Sequence, residues 1–117
     1  MRPAELYRRS ILLPKDSVAL VRLEAQDVEP STAVERLAIA DNHWPHIWPL
    51  INDLNRVCGT DLHDHDTAPV DVDQLPLLID HLRTRRYTHP IAKDFAHALA
   101  ALSDQAEQRR MPLFFVL

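Results

Sequence analysis

The sequence holds a single glycine, Gly59, in 117 residues. Glycine supplies positive φ angles and lets the backbone approach a ligand closely. With only one, the chain has no Gly-rich phosphate cradle, no dinucleotide fingerprint and no Gly-x-Ser-x-Gly nucleophile elbow. Asn-Gly and Asp-Gly hairpin turns are missing too, which counts against a hairpin-rich all-β fold. Cysteine is as scarce. Cys58 stands alone and forms no internal disulfide, so nothing points to an oxidising compartment. No run approaches the roughly 18 apolar residues of a membrane span. The opening MRPAELYRRS is charged and lacks the apolar stretch of a signal peptide, which leads us to expect a cytoplasmic protein.

What is present is ordinary in bulk. Hydrophobic residues make up 46% and charged residues 26%, with a formal net charge of −4. This balance suits one globular domain over residues 1–117. The mild acidity lowers the expectation of general nucleic-acid binding, which needs a basic balance. Histidine is the outlier in the other direction, with seven residues.

Pattern reading predicts a mainly α (α+β) fold, with about five amphipathic helices and a small two- or three-stranded sheet. Residues 3–12 read as a short helix with Pro3 in its first turn and Pro14 ending it. Residues 17–25 alternate, Ala19, Val21, Leu23 and Ala25 against Leu20, Arg22 and Glu24, and favour a half-buried strand. Glu29-Pro30 marks a boundary, and Ser31 or Thr32 caps a helix reaching about Asp41. A longer helix spans about 45–58, with Ile47, Leu50, Ile51, Leu54, Val57 and Cys58 on one stripe and Gly59 at its C′ position. Residues 60–72 read as a polar loop. Asp71 or Asp73 caps a helix over about 73–86, striped by Leu75, Leu78, Ile79 and Leu82. The last helix, about 90–110, carries Ile91, Phe95, Ala98, Leu99, Leu102 and Ala106. The terminal run over 112–117 reads as a strand paired with the segment near 17–25, or as an edge open to another chain.

The chemistry concentrates in Asp61-Leu62-His63-Asp64-His65-Asp66. Imidazoles and carboxylates at this density suit a divalent metal. In an extended stretch His63 and His65 would share one face and Asp64 and Asp66 the other. His63, His65 and Asp64 are therefore the candidate ligands, with His43 or His46 recruited from elsewhere. Thr67 and Ala68 stand where the His-x-His-x-Asp-His motif of metallo-β-lactamase-like hydrolases needs Asp and His, so that motif is not met.

Charge offers a different reading. From Val57 to Leu82 there is no Lys or Arg, while Asp61, Asp64, Asp66, Asp71, Asp73 and Asp80 all fall there. A locally acidic surface steers a basic partner. Trp44 sits at a helix entrance, as a hydrophobic staple or as an anchor for a partner. Trp48 falls beside the helix stripe and belongs in the core. Arg8-Arg9, Arg83/Arg85/Arg86 with Tyr87, and Arg109-Arg110 are small basic clusters at helix ends. Cys58 lies on an apolar stripe and reads as buried and inert.

The first expectation is thus a non-catalytic protein-binding or inhibitor protein of the immunity or antagonist kind, with no cofactor. It would use Asp61, Asp64, Asp66, Asp71, Asp73 and Trp44 against another protein, such as a basic toxin or a nucleic-acid-handling enzyme. The alternatives are a metal-dependent hydrolase built on the 61–66 cluster and a small nucleic-acid-binding regulator using the arginines.

Overall fold

A computed structural model describes residues 9–25 and 32–117. The chain folds as β1 (Ser10–Pro14), α1 (Ser17–Glu24), β2 (Val34–Ala38), α2 (Trp44–Cys58), β3 (Thr67–Val70), α3 (Leu75–Thr84), α4 (Pro90–Arg109) and β4 (Leu113–Val116). Short 3-10 turns at Asp41–His43 and Val72–Gln74 lead into α2 and α3. The four strands form one antiparallel sheet in the order β2-β1-β4-β3.

Three layers explain the sequence. Ile11 and Leu13 of β1, with Leu113 and Phe115 of β4, face α2, α3 and α4 in the main core. Leu12, Phe114 and Val116 face the other way and pack with Leu23 of α1. The register sets Ile11 opposite Phe115 and Leu12 opposite Phe114, so like faces meet. A sheet covered on both sides carries continuous apolar runs rather than alternation. ILLP and LFFV are such runs, and every residue of β1 and β4 is buried.

Several expectations are corrected here. Residues 10–12 are strand, not the end of a helix, and residues 3–8 of that predicted helix lie outside the described residues. The segment 17–25 is the helix α1. Asp16 caps it by accepting a hydrogen bond from the Ala19 backbone N–H at 2.8 Å, and local capping outweighs the alternation. Within the helix predicted from Ser31 or Thr32 to about Asp41, Val34–Ala38 is instead β2, whose backbone pairs with β1 from Ser10↔Ala38 to Pro14↔Val34; Ser31 and the Glu29-Pro30 boundary lie outside the described residues. Residues 67–70, read as loop, form β3. The sheet therefore has four strands, and the α-helices number four among the described residues. The C-terminal strand is real, but β4 lies between β1 and β3 and is closed to a further chain. The sheet edges are β2 and β3. Pro69 in β3 removes one backbone donor, a usual feature of edge strands.

The remaining helices agree with their periodicity except at Val57, expected on the α2 stripe but 37% exposed. α2 buries Ile47, Leu50, Ile51, Leu54 and Cys58 and ends at Gly59 with φ 68°, the left-handed conformation a C′ residue adopts. α3 buries Leu75, Leu78, Ile79 and Leu82. α4 is capped by His89, whose Nδ1 accepts from the Ile91 N–H at 3.2 Å. No helix among the described residues is long and apolar enough to cross a membrane.

Candidate functional site

The acidic loop joins α2 to β3, and three attachments set its shape. The first is Asn55 on α2. Its side-chain oxygen accepts from the Leu62 N–H and the Thr60 hydroxyl, each at 2.8 Å, and its amide donates to the Leu62 carbonyl at 2.6 Å. The Leu62 side chain, 0% exposed, is inserted in the main core. The second is Arg9, just before β1. Its guanidinium donates to Asp64 at 2.8 Å and lies 4.5 Å from the centre of the Trp44 ring, with Asp41 at 3.7 Å. The third is the backbone: the Leu117 N–H donates to the Asp66 carbonyl at 2.9 Å, extending the β3–β4 pairing.

Trp44 and Asp64, far apart in the chain, thus meet on one cation. Trp44 is half-buried, packs on the main core, and tilts against Trp48 with ring centres 5.4 Å apart. The Arg9 hydrogen bond is the largest influence on Asp64 and holds its carboxyl below the usual range, with partial burial opposing. Asp71 is also committed internally, forming a capping box with Gln74 at the turn before α3. Asp61, Asp66 and Asp73 are the outward carboxylates. Asp61 has a 90% exposed side chain and contacts His63 at 2.5 Å.

The extended, alternating ligand array expected for a metal is not formed. Asp64 and His65 make a turn, with His65 at φ 63°. His46, a candidate recruit, stacks on His89 with ring centres 3.9 Å apart. Among the described residues no three His, Cys, Asp or Glu side chains converge as a metal site would require.

A second constellation was not legible in the sequence. Asp53 of α2 receives His81 Nε2 of α3 at 2.7 Å, is hydrogen-bonded by Arg56, and has Arg85 Nε at 3.9 Å. Asp53 and His81 side chains are only 11% and 13% exposed. Burial alone would raise the Asp53 pKa, but hydrogen bonds from Arg56 and His81 and the nearby positive charges outweigh it and hold the carboxyl low. A His–Asp pair orients a general base in acyl-transfer triads. Here no serine, threonine or cysteine hydrogen-bonds to His81 among the described residues. Burial, followed by the charge of Asp53, pushes the Cys58 thiol up, away from the thiolate a nucleophile needs. The pair therefore ties α2 to α3. Only tertiary contact joins residues 28 positions apart, although Asp53 on the flank of a predicted helix stripe is a signal of a kind.

Because the Asp53 pKa is lowered on folding, its contribution to stability is full above the unfolded value and lost as pH falls through the folded one. Asp53→Asn is expected to cost about 1–3 kcal/mol at neutral pH. The gap to the parent protein should close in the acid range below about pH 4. Urea melts of both proteins across this range test it, and a gap independent of pH would contradict the assignment.

A cavity of about 680 Å³ is a groove between the end of α3 and residues 93–104 of α4. Arg83, Arg85, Arg86, Tyr87, Lys93 and His97 line it, with Ala96, Ala100, Ala101 and Asp104 along α4. Arg110 of another basic cluster lines a second cavity, of about 510 Å³, with Val72, Asp73, Pro76 and Glu107. Arg9 is engaged as described, Arg109 donates to Glu35 at 2.9 Å, and Arg8 lies outside the described residues.

Comparison with protein-family models, curated proteins and solved structures finds no match to this chain. Its function must be argued from its own geometry.

Proposed function

We propose that the protein is a non-catalytic binding protein, of the immunity or antagonist kind. It occupies a basic surface of another protein through the acidic 61–73 segment. The observation that carries this reading is the pinned loop. Asn55, the Leu62 side chain and Arg9 hold it in one shape, while Asp61 and Asp66 remain exposed along it. A loop ordered before binding loses little conformational entropy on docking, which favours affinity. Exposed carboxylates at its rim contribute mainly to encounter rate and partner choice. A basic toxin or a nucleic-acid-handling enzyme has the complementary charge.

The roles within the segment are divided. Asp61, Asp66 and Asp73 face the partner. Asp64 and Asp71 hold the loop and the following turn, and Trp44 supports Arg9 from below. Reversing Asp64 would set a cation against Arg9, so it is a poor probe of the surface. Asp61→Lys with Asp66→Lys leaves the contacts of Asn55, Leu62 and Arg9 intact and removes only local ones, the hydrogen bond from the Thr67 N–H to the Asp66 carboxylate at 2.9 Å and the Asp61–His63 contact. Immobilised protein is expected to retain a basic partner from a host lysate, to release it as salt rises, and to lose it when both residues are reversed. Capture of the same proteins by the reversed variant would sink this reading, and so would retention insensitive to salt.

A further inference from the structure

The α3–α4 groove is a basic site on an acidic chain. Four cations, Arg83, Arg85, Arg86 and Lys93, line it against one lining carboxylate, Asp104, while the whole chain carries −4. Asp104 is already paired with Arg83. Arg85 lies 5.9 Å from the centre of the Tyr87 ring and reaches back toward Asp53. Arg86 and Lys93 are exposed and meet no carboxylate within ion-pair distance among the described residues. Cations gathered without counter-charge favour a bound anion.

Space is the second observation. Ala96 and Ala100 form the buried floor of the groove on α4 and Ala101 its exposed wall. The groove's 680 Å³ falls in the range of small-molecule sites and far exceeds what a lone inorganic anion fills. A ligand of that size has a body as well as a charge. The half-buried Tyr87 ring and the exposed Ala101 supply an apolar flank for it. We infer that the groove binds a small phosphorylated organic molecule of nucleotide size, its phosphates on Arg86 and Lys93 and its body along Tyr87 and Ala101. Arginine offers phosphate a planar fork of donors and lysine a mobile point charge, a common pairing at phosphate sites.

A nucleic-acid strand needs cations along a longer track. Arg9, Arg56 and Arg109 are each held by a carboxylate, Asp64, Asp53 and Glu35, so they add nothing to such a track. The groove is also separate from the acidic loop, and its test stands independently of any protein partner.

Calorimetric titration of the full chain with ATP, adenosine and a single-stranded oligonucleotide tests the inference. ATP is expected to bind and adenosine not. Arg86→Glu with Lys93→Glu should weaken ATP by at least about tenfold at unchanged Tm, because both side chains are exposed. Ala101→Phe, which fills the groove from an exposed position and keeps every cation, should weaken it comparably. Asp61→Lys with Asp66→Lys should leave ATP binding unchanged. Absence of ATP binding overturns the inference, as does ATP affinity indifferent to the Arg86/Lys93 pair. An oligonucleotide bound more tightly than ATP overturns it in favour of a nucleic-acid surface.

Discussion

Phe115→Ala is expected to destabilise the protein by about 3–5 kcal/mol, a large part of the roughly 5–15 kcal/mol that holds a typical domain folded. Phe115 is fully buried. It sits in β4, with Ile11 of β1 on one side and Ala68 of β3 on the other, and its ring packs in the core shared with α2, α3 and α4. Truncation removes the apolar area of the ring and leaves a cavity bounded by two rigid layers. Neither layer can collapse into it cheaply, because Phe114 and Val116 bind the strand to α1 on the opposite face. Val18→Ala is the matched control. Val18 is 64% exposed and its loss should stay within about 0.5 kcal/mol. Chemical denaturation of both variants decides the matter. A Phe115→Ala cost below about 1 kcal/mol would show that the sheet does not carry the core as described.

The second large effect concerns the loop. Leu62→Ala should cost about 2–5 kcal/mol, as for other buried leucines. Asn55→Ala should cost about 1–3 kcal/mol, since it strands the Leu62 N–H and carbonyl and the Thr60 hydroxyl near the core. The two residues hold the same segment, so their costs should not add. Both variants keep every carboxylate, yet both should weaken partner capture and speed amide exchange across 60–66, because the loop loses its fixed shape. Unchanged exchange in Asn55→Ala would show that the asparagine does not anchor the loop, and the functional reading would lose its main support.

The structure redistributes the acidic segment rather than merely locating it. In the sequence its five aspartates from 61 to 73 look alike. Arg9 separates Asp64 from the rest, and Gln74 separates Asp71. Asp71 is one of the two caps, with Asp73, that the sequence offers before α3, and the structure selects it, but the Arg9 pairing is not legible in a linear pattern, because Arg9 is 55 positions from Asp64. The same applies to the groove. The arginines at 83, 85 and 86 are visible as a cluster, but the groove they line together with Lys93 of α4 is not.

Helices α2, α3 and α4 follow from the sequence alone. Each has one solvent face and one core face, so its apolar residues recur at helical spacing, and Gly59 marks where α2 stops. The sheet does not follow in this way. β1 and β4 lie between two layers, so no polar face interrupts their apolar runs, and ILLP continued a helical pattern as readily as an extended one. In α1 the alternation of ALVRLE favoured a strand, and the decisive signal was the Asp16 cap, a single residue outside the pattern. β2 owes its state to backbone hydrogen bonds with a distant strand, which no local propensity encodes. What the chain determined by itself was therefore the helical frame, the scarcity of catalytic motifs and the place where charge gathers. Tertiary structure decided which strands pair, which aspartates face outward and where the cations enclose space, because each of those depends on groups distant in sequence coming within hydrogen-bond or van der Waals reach.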